Sequence, residues 1–366
     1  MLQSILNTIA KPFVWLGGFF ARLGAILRVV IGVALAVLLV LYGIFFWNTQ
    51  VWNAFSPDYA DAYNLATKKA GHVPEPSGGI VNTTETDTQG ESAEKKSCRR
   101  SMIVEASANL VDFNVNQNAW ISSMILYKLG LFGVPWDATP FFDNKAVFQR
   151  GIHQAVQRTA VELVDSLGRV RGTSGPDKDL QTARSDLQYN EFYWYWSFSP
   201  FGPKTTSPAI YRTAIKNLEK YNDRLESCDA LFDARADNLL AFLDRIAKDI
   251  GGTSALLKER SENYSSGWFY TRADDRFWFA YGQLYAYYGI LTAARTDFED
   301  VIKQRRLEAI WDELEGQLRA SLNITPFIIS NGAEAGWFMP SHLATLGFYI
   351  LRVRSNLVEI RTILDR

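Results

Sequence analysis

The chain has 366 residues, 48% hydrophobic and 21% charged, a balance that excludes both a disordered chain and one that crosses a membrane throughout. Lysine and arginine number 38 against 39 acids, a formal charge of −1, which excludes a basic protein that coats nucleic acid. Three histidines and two cysteines leave little material for a metal centre.

Residues 1–28 carry Lys11, Arg22 and Arg28 and no acid. They read as a cytoplasmic and interfacial segment. Its apolar stretch 9–27 is broken by Pro12, the Gly17-Gly18 pair and Arg22, so a short interfacial helix fits better than a second crossing. Residues 29–47 (VVIGVALAVLLVLYGIFFW) lack any charge. At about 1.5 Å per residue they span roughly 28 Å, the thickness of a bilayer core. No small-x-small cleavage site follows, so the sequence favours an uncleaved anchor. The basic residues before the span place the N-terminus in the cytoplasm and the remainder across the membrane.

Residues 48–70 suggest a juxtamembrane helix, interrupted near Ser56-Pro57. Residues 71–100 are poor in apolar side chains over most of their length and read as a flexible tether. The helical domain spans 101–366. Residues 101–131 look mainly helical. Residues 146–167 place Phe148, Ile152, Ala155, Val156, Thr159, Leu163 and Leu167 on one face, closed by Gly168. Asp177 or Asp179 suits the cap of a short following helix.

Ser207-Pro208 opens a helix. From Tyr211 to Ile246 apolar residues then step by three and four, broken at Arg235, and Gly251-Gly252 suggests the end. The reading is one helix over 208–250, roughly 65 Å long. Thr253 can cap a short helix to Arg260, and a further helical region covers 275–321. The last helix repeats the three-four stepping through Leu343, Leu346, Ile350, Val353, Leu357, Ile360 and Leu364. No alternating strand pattern stands out. The fold class read from the sequence is all-α: a single transmembrane helix followed by an elongated helical bundle with long antiparallel helices.

No G-x-G-x-x-G, Walker A, H-E-x-x-H or G-x-S-x-G motif occurs. The pattern assigns no catalytic residue, no metal ligand and no cofactor, and the expectation is a protein that is not an enzyme. His153 reads as solvated on a helix. Cys98 and Cys228 would share an oxidising compartment, where a disulfide is permitted. Against it, Cys228 falls on the heptad seam, where a free buried cysteine is ordinary, and Cys98 borders the tether.

Two aromatic clusters stand out, 189–201 (YNEFYWYWSFSPF) and 268–288. A functional reading is a stacking surface built from Glu191, Tyr193, Trp194, Trp196, Trp268, Asp275 and Arg276. The competing reading is core packing, or aromatics at the bilayer surface. Glu191 with Asp274 or Asp275 also offers a glycosidase-like carboxylate pair.

Residues 143–190, with their FQRG and GRVRGTSGPDKDL segments, resemble a proteobacterial family of unknown function whose members are single-pass inner-membrane proteins. The resemblance implies a Gram-negative inner membrane and a periplasmic body, and it brings no catalytic residues. Three functions follow as expectations. The first is an anchored scaffold whose partners are the lipid bilayer and a protein of the envelope or a second copy, with no nucleic acid. The second is a ligand-binding or sensing module using the aromatic clusters. The third is a glycan-active enzyme.

Overall fold

The computed structural model describes residues 24–60, 83–84, 94–95, 98–131, 133–136, 139, 141–169, 175–198, 201–263, 273–326, 328–332 and 341–366. The chain divides into two compact units, residues 1–48 and 49–366. The interfacial segment 9–23, most of the tether, Trp268 and the loop 333–340 lie outside the described residues.

The first unit supplies α1 (Ala25–Gln50), a helix long and apolar enough to cross a membrane. It contains the whole predicted span, and Val33, Leu39 and Trp47 are exposed along it.

The second unit is all-α, as the periodicity requires. Its helices are α2 (Met102–Asp112), α3 (Ile125–Leu129), α4 (Asn144–Glu162), α5 (Lys178–Leu187), α6 (Ser207–Glu226), α7 (Ala236–Asn263), α8 (Ala273–Asp297), α9 (Glu299–Gln304), α10 (Glu308–Leu322) and α11 (His342–Leu364). Two minimal antiparallel strand pairs, Thr83–Thr84 with Glu94–Lys95 and Trp196–Phe198 with Phe201–Pro203, are the strands among the described residues. A π-turn, Leu163–Leu167, extends α4 to Gly168, as the spacing suggested. Asp177 caps α5, its side chain accepting from the backbone amides of Asp179 and Leu180.

Helix α8 is buried along most of its length and on every side, the behaviour of a central core helix. It packs against α2, α4, α7, α10 and α11. Its closest approach is to α4, where Gly151 meets Gly282. A Cβ on Gly151 would stand 2.2 Å from the Phe279 carbonyl oxygen, so only glycine admits this crossing.

Residues 51–60 depart from the juxtamembrane helix read from the sequence. The helix stops at Gln50 and the chain turns into the core. Trp52 stacks on Phe148 with ring centroids 4.9 Å apart, and Tyr59 stacks on Tyr285 at 4.1 Å. The Tyr59 hydroxyl donates to the Tyr285 carbonyl at 2.6 Å. Packing of the half-buried Trp52, Phe55 and Tyr59 against the core offsets the helical hydrogen bonds given up there.

The single helix over 208–250 is also overturned. Helix α6 ends at Glu226, Cys228 adopts a left-handed backbone with φ of 65°, and α7 begins only at Ala236. Both halves keep their buried stripe, because each helix is separately amphipathic, so the stepping continues across the break. Arg235 lies in the loop and pairs with Asp233 at 3.0 Å. The Gly251-Gly252 pair does not stop α7, which runs on to Asn263, so Thr253 caps nothing. Tertiary burial of Ile250 and Leu257 outweighs the roughly 1 kcal/mol that each glycine costs a helix. The region 275–321 likewise divides into α8, α9 and α10. The last seam holds: all seven of its apolar positions are buried in α11, which packs chiefly on α7 and α10.

Cys98 and Cys228 form a disulfide. Cys228 is not a seam residue but lies in the turn after α6. The end of the expected tether is thereby pinned. Arg99 donates to the Thr296 carbonyl at 3.0 Å, and buried Asp297 accepts from the Ser101 hydroxyl and the Met102 and Ile103 amides. Thus α2 is capped by a carboxylate from the far end of α8. His153 is buried, contrary to the expectation of a solvated side chain. Its Nε2 lies 2.9 Å from the Leu187 carbonyl, and its ring rests on Tyr211. Burial lowers its pKa to about 4.

Candidate functional site

A cleft of about 1110 Å³ opens on the second unit. Its walls are α4, α7 and the first turns of α8, with the end of α3, the loop after it and Phe192 at the rim. Helix α4 turns its apolar face, Phe148, Ile152 and Val156, into the core, which leaves Arg150, Gln154 and Arg158 at four-residue spacing along the cleft. Helix α7 presents Arg245, Lys248, Asp249, Gly252 and Leu256 in the same manner.

The floor is fixed by Asp249. One of its oxygens accepts from Gln154 at 3.0 Å, and the other from Gln283 at 3.0 Å and the Tyr287 hydroxyl at 2.7 Å. Arg158 pairs with it at 3.5 Å. Gly252 is exposed at the wall, and a Cβ there would meet nothing within 4 Å.

Carboxyl groups gather at the start of α8. Asp274 and Asp275 occupy its first turn, where the helix dipole favours acids. Asp143, fully buried, precedes α4. Burial, then the neighbouring Asp275 carboxyl, holds Asp143 far above the usual carboxylate range, and burial followed by the Asp275 charge raises Asp274 to about 7. Asp143 is therefore uncharged at neutral pH.

The structure divides the residues singled out by sequence. Asp275 and Arg276 line the cleft. Glu191 stands behind its wall, paired with Arg150 at 2.8 Å; burial raises its pKa and the Arg150 charge opposes that shift. Tyr193, Trp194 and Trp196 do not line the cleft. Lys204 lies 3.8 Å over the Tyr193 ring, Trp194 meets Tyr195 edge-on at 5.9 Å, and Trp196 meets Phe201 at 5.1 Å on the strand pair. Trp268 is outside the described residues. Most of the described part of the second aromatic cluster is core: Phe277, Tyr281, Tyr285, Tyr287 and Tyr288 are buried, and Trp52, Phe55 and Tyr59 of the same chain pack against it, whereas Phe279 lines the cleft.

Sequence reading missed the basic residues of α4 and α7. The signal within α4 was present, since Arg150 and Arg158 stand two turns apart opposite its apolar face. Their partners on α7 lie about a hundred residues away, and no local pattern joins the two.

A family profile described as uncharacterised protein conserved in bacteria (DUF2333) matches residues 89–265 and 258–366. The chain belongs to this family. No curated protein and no solved structure matches it. The matched stretches include every element of the cleft in this family member, from the loop after α3 to the start of α8.

Proposed function

We propose that this family member is a membrane-anchored ligand-binding protein of the bacterial envelope. In this reading α1 sits in the inner membrane, the N-terminus is cytoplasmic and the helical body is periplasmic. The observation that carries it is the cleft, about 1110 Å³ framed by three core-anchored helices, a size and rigidity suited to a small or oligomeric ligand. Lys11, Arg22 and Arg28 before the apolar helix support the orientation. The Cys98–Cys228 disulfide supports it independently, because such bonds persist in oxidising compartments. The sequence resemblance to single-pass proteobacterial proteins agrees.

Substitution at Gly252 tests the cleft. A side chain there projects into open space at the wall, so Gly252→Trp should fill the cleft without disturbing the core. Native mass spectrometry of gently purified full-length protein is expected to detect a bound small molecule that Gly252→Trp loses. No bound species in the wild type, or the same species in both proteins, contradicts the reading.

A partner-binding role has its own support. Phe348, Leu351 and Val358 form an exposed apolar stripe on α11, with Phe348 57% exposed. Leu351→Glu should remove a stoichiometric partner from membrane copurifications; unchanged recovery counts against this second role.

A further inference from the structure

We infer that the cleft takes a multivalent anion, a ligand carrying several phosphate or carboxylate groups. The inference rests on the reading of the cleft as a ligand site.

The charge of the lining is far from that of the chain. Helices α4 and α7 supply Arg150, Arg158, Arg245, Lys248 and Arg260, and the rim adds Lys128 and Arg276. Against these seven cations the lining holds two acids, Asp249 and Asp275, in a chain whose formal charge is −1. Gathering like charges on facing walls costs repulsion, and a cleft of one sign focuses its field on an opposite ligand.

The counter-charges are less exposed than the cations they hold, and of the four only Asp249 lines the cleft. Arg245 pairs with Glu162 at 2.7 Å, the arginine side chain being 47% exposed and the glutamate 5%. Arg158 is 51% exposed and its partner Asp249 8%. Lys248 and Arg150 pair in the same sense with Asp244 and Glu191, and neither of those acids, nor Glu162, lines the cleft. A guanidinium carries five N–H donors in a fixed fork, so one such pair does not exhaust them. These acids, each less exposed than its cation, thus hold the cations in place, which lowers the ordering cost a ligand meets on binding. Among the described residues no ion pair engages Lys128 or Arg276.

The spacing indicates several charges rather than one. Arg150 and Arg158 are separated by about 12 Å along α4, and Arg245 and Arg260 by roughly 22 Å along α7. A single small ion reaches one such group; an extended anion reaches several. Asp143, beside Asp275, adds little opposing charge because burial keeps it protonated.

The test is calorimetric titration of the full chain in phosphatidylcholine nanodiscs with inorganic tripolyphosphate, tetragalacturonate and neutral maltotetraose. At least one anionic probe is expected to bind, and which of them binds separates phosphate from carboxylate recognition. Affinity should fall at least about tenfold between roughly 0.05 and 0.5 M NaCl. The Lys128→Glu/Arg276→Glu pair, two rim residues outside the ion-paired frame, should weaken binding by about tenfold or more, and Lys216→Glu on α6 should leave it unchanged. Binding of neither anion, or equal binding by the double variant and Lys216→Glu, overturns the inference. If maltotetraose alone binds and Gly252→Trp abolishes it, the cleft reading survives and the anion inference fails. If no probe binds and native mass spectrometry finds no bound species, both fail.

Discussion

Asp143 sits in an environment that a carboxylate disfavours. It is fully buried where α4 begins, its folded-state pKa is raised by burial and by Asp275, and an unfolded aspartate ionises near pH 4. Between those two values the folded state holds the proton more tightly than the unfolded chain. Stability contributed by the protonated form is therefore fully present below about pH 4 and is lost as pH rises toward the folded value. Asp274, raised to about 7, acts in the same sense. His153, lowered to about 4, acts oppositely and removes stability as pH falls below about 6.5. Asp143→Asn keeps the shape and removes the titration. Urea unfolding should show the variant more stable than wild type at pH 8 by more than about 1 kcal/mol, with the gap shrinking toward pH 5. A gap that is constant with pH would contradict the assignment. None of this was legible in the sequence, where Asp143 is one acid among 39; its meaning comes from two helix starts brought together.

At the scale of elements, amphipathic spacing was a sound guide to which residues are buried and a poor guide to where helices end. Leu225 and Leu239 are both fully buried, as the seam required, although they sit on different helices. The break between them gave no glycine signal, because the left-handed position is filled by Cys228 and held by its disulfide. The Gly251-Gly252 pair gave a false stop for the converse reason. Leu225→Ala is expected to cost about 2–5 kcal/mol, while Glu226→Ala, whose carboxylate meets Arg100 at 3.5 Å on the surface, stays within about 0.5. Equal shifts in melting temperature would reject the packing. The α4–α8 crossing is more exacting still: Gly151→Ala drives a methyl into the Phe279 carbonyl and should cost about 3 kcal/mol, measured by the same melt. A neutral result would mean that the two helices can separate freely.

For the whole molecule, the all-α body and the apolar N-terminal helix were legible, because composition and period carry both. The candidate site was legible in part. Asp275 and Arg276 were found for their place beside an aromatic cluster, whose buried members Phe277, Tyr281 and Tyr285 belong to the core while Phe279 lines the cleft. The cleft itself depends on Arg150 and Arg245 facing one another, which only tertiary packing decides. The disulfide ties residues 130 apart, and in the chain-entropy account closing such a loop contributes about 4–5 kcal/mol. Dithiothreitol should therefore lower the melting temperature of the wild type and leave that of a Cys98→Ser/Cys228→Ser double variant unmoved. A wild type insensitive to reductant would show that the bond carries no stability.

One labelling experiment addresses both the location of the body and its cleft. With its native cysteines paired, a Gly252→Cys variant carries a single thiol at the cleft wall. A membrane-impermeant maleimide is expected to label it in intact spheroplasts, and to label it several-fold more slowly when the small-molecule fraction of a periplasmic extract is restored. Labelling only after the membrane is permeabilised, or a rate indifferent to the extract, would contradict the account.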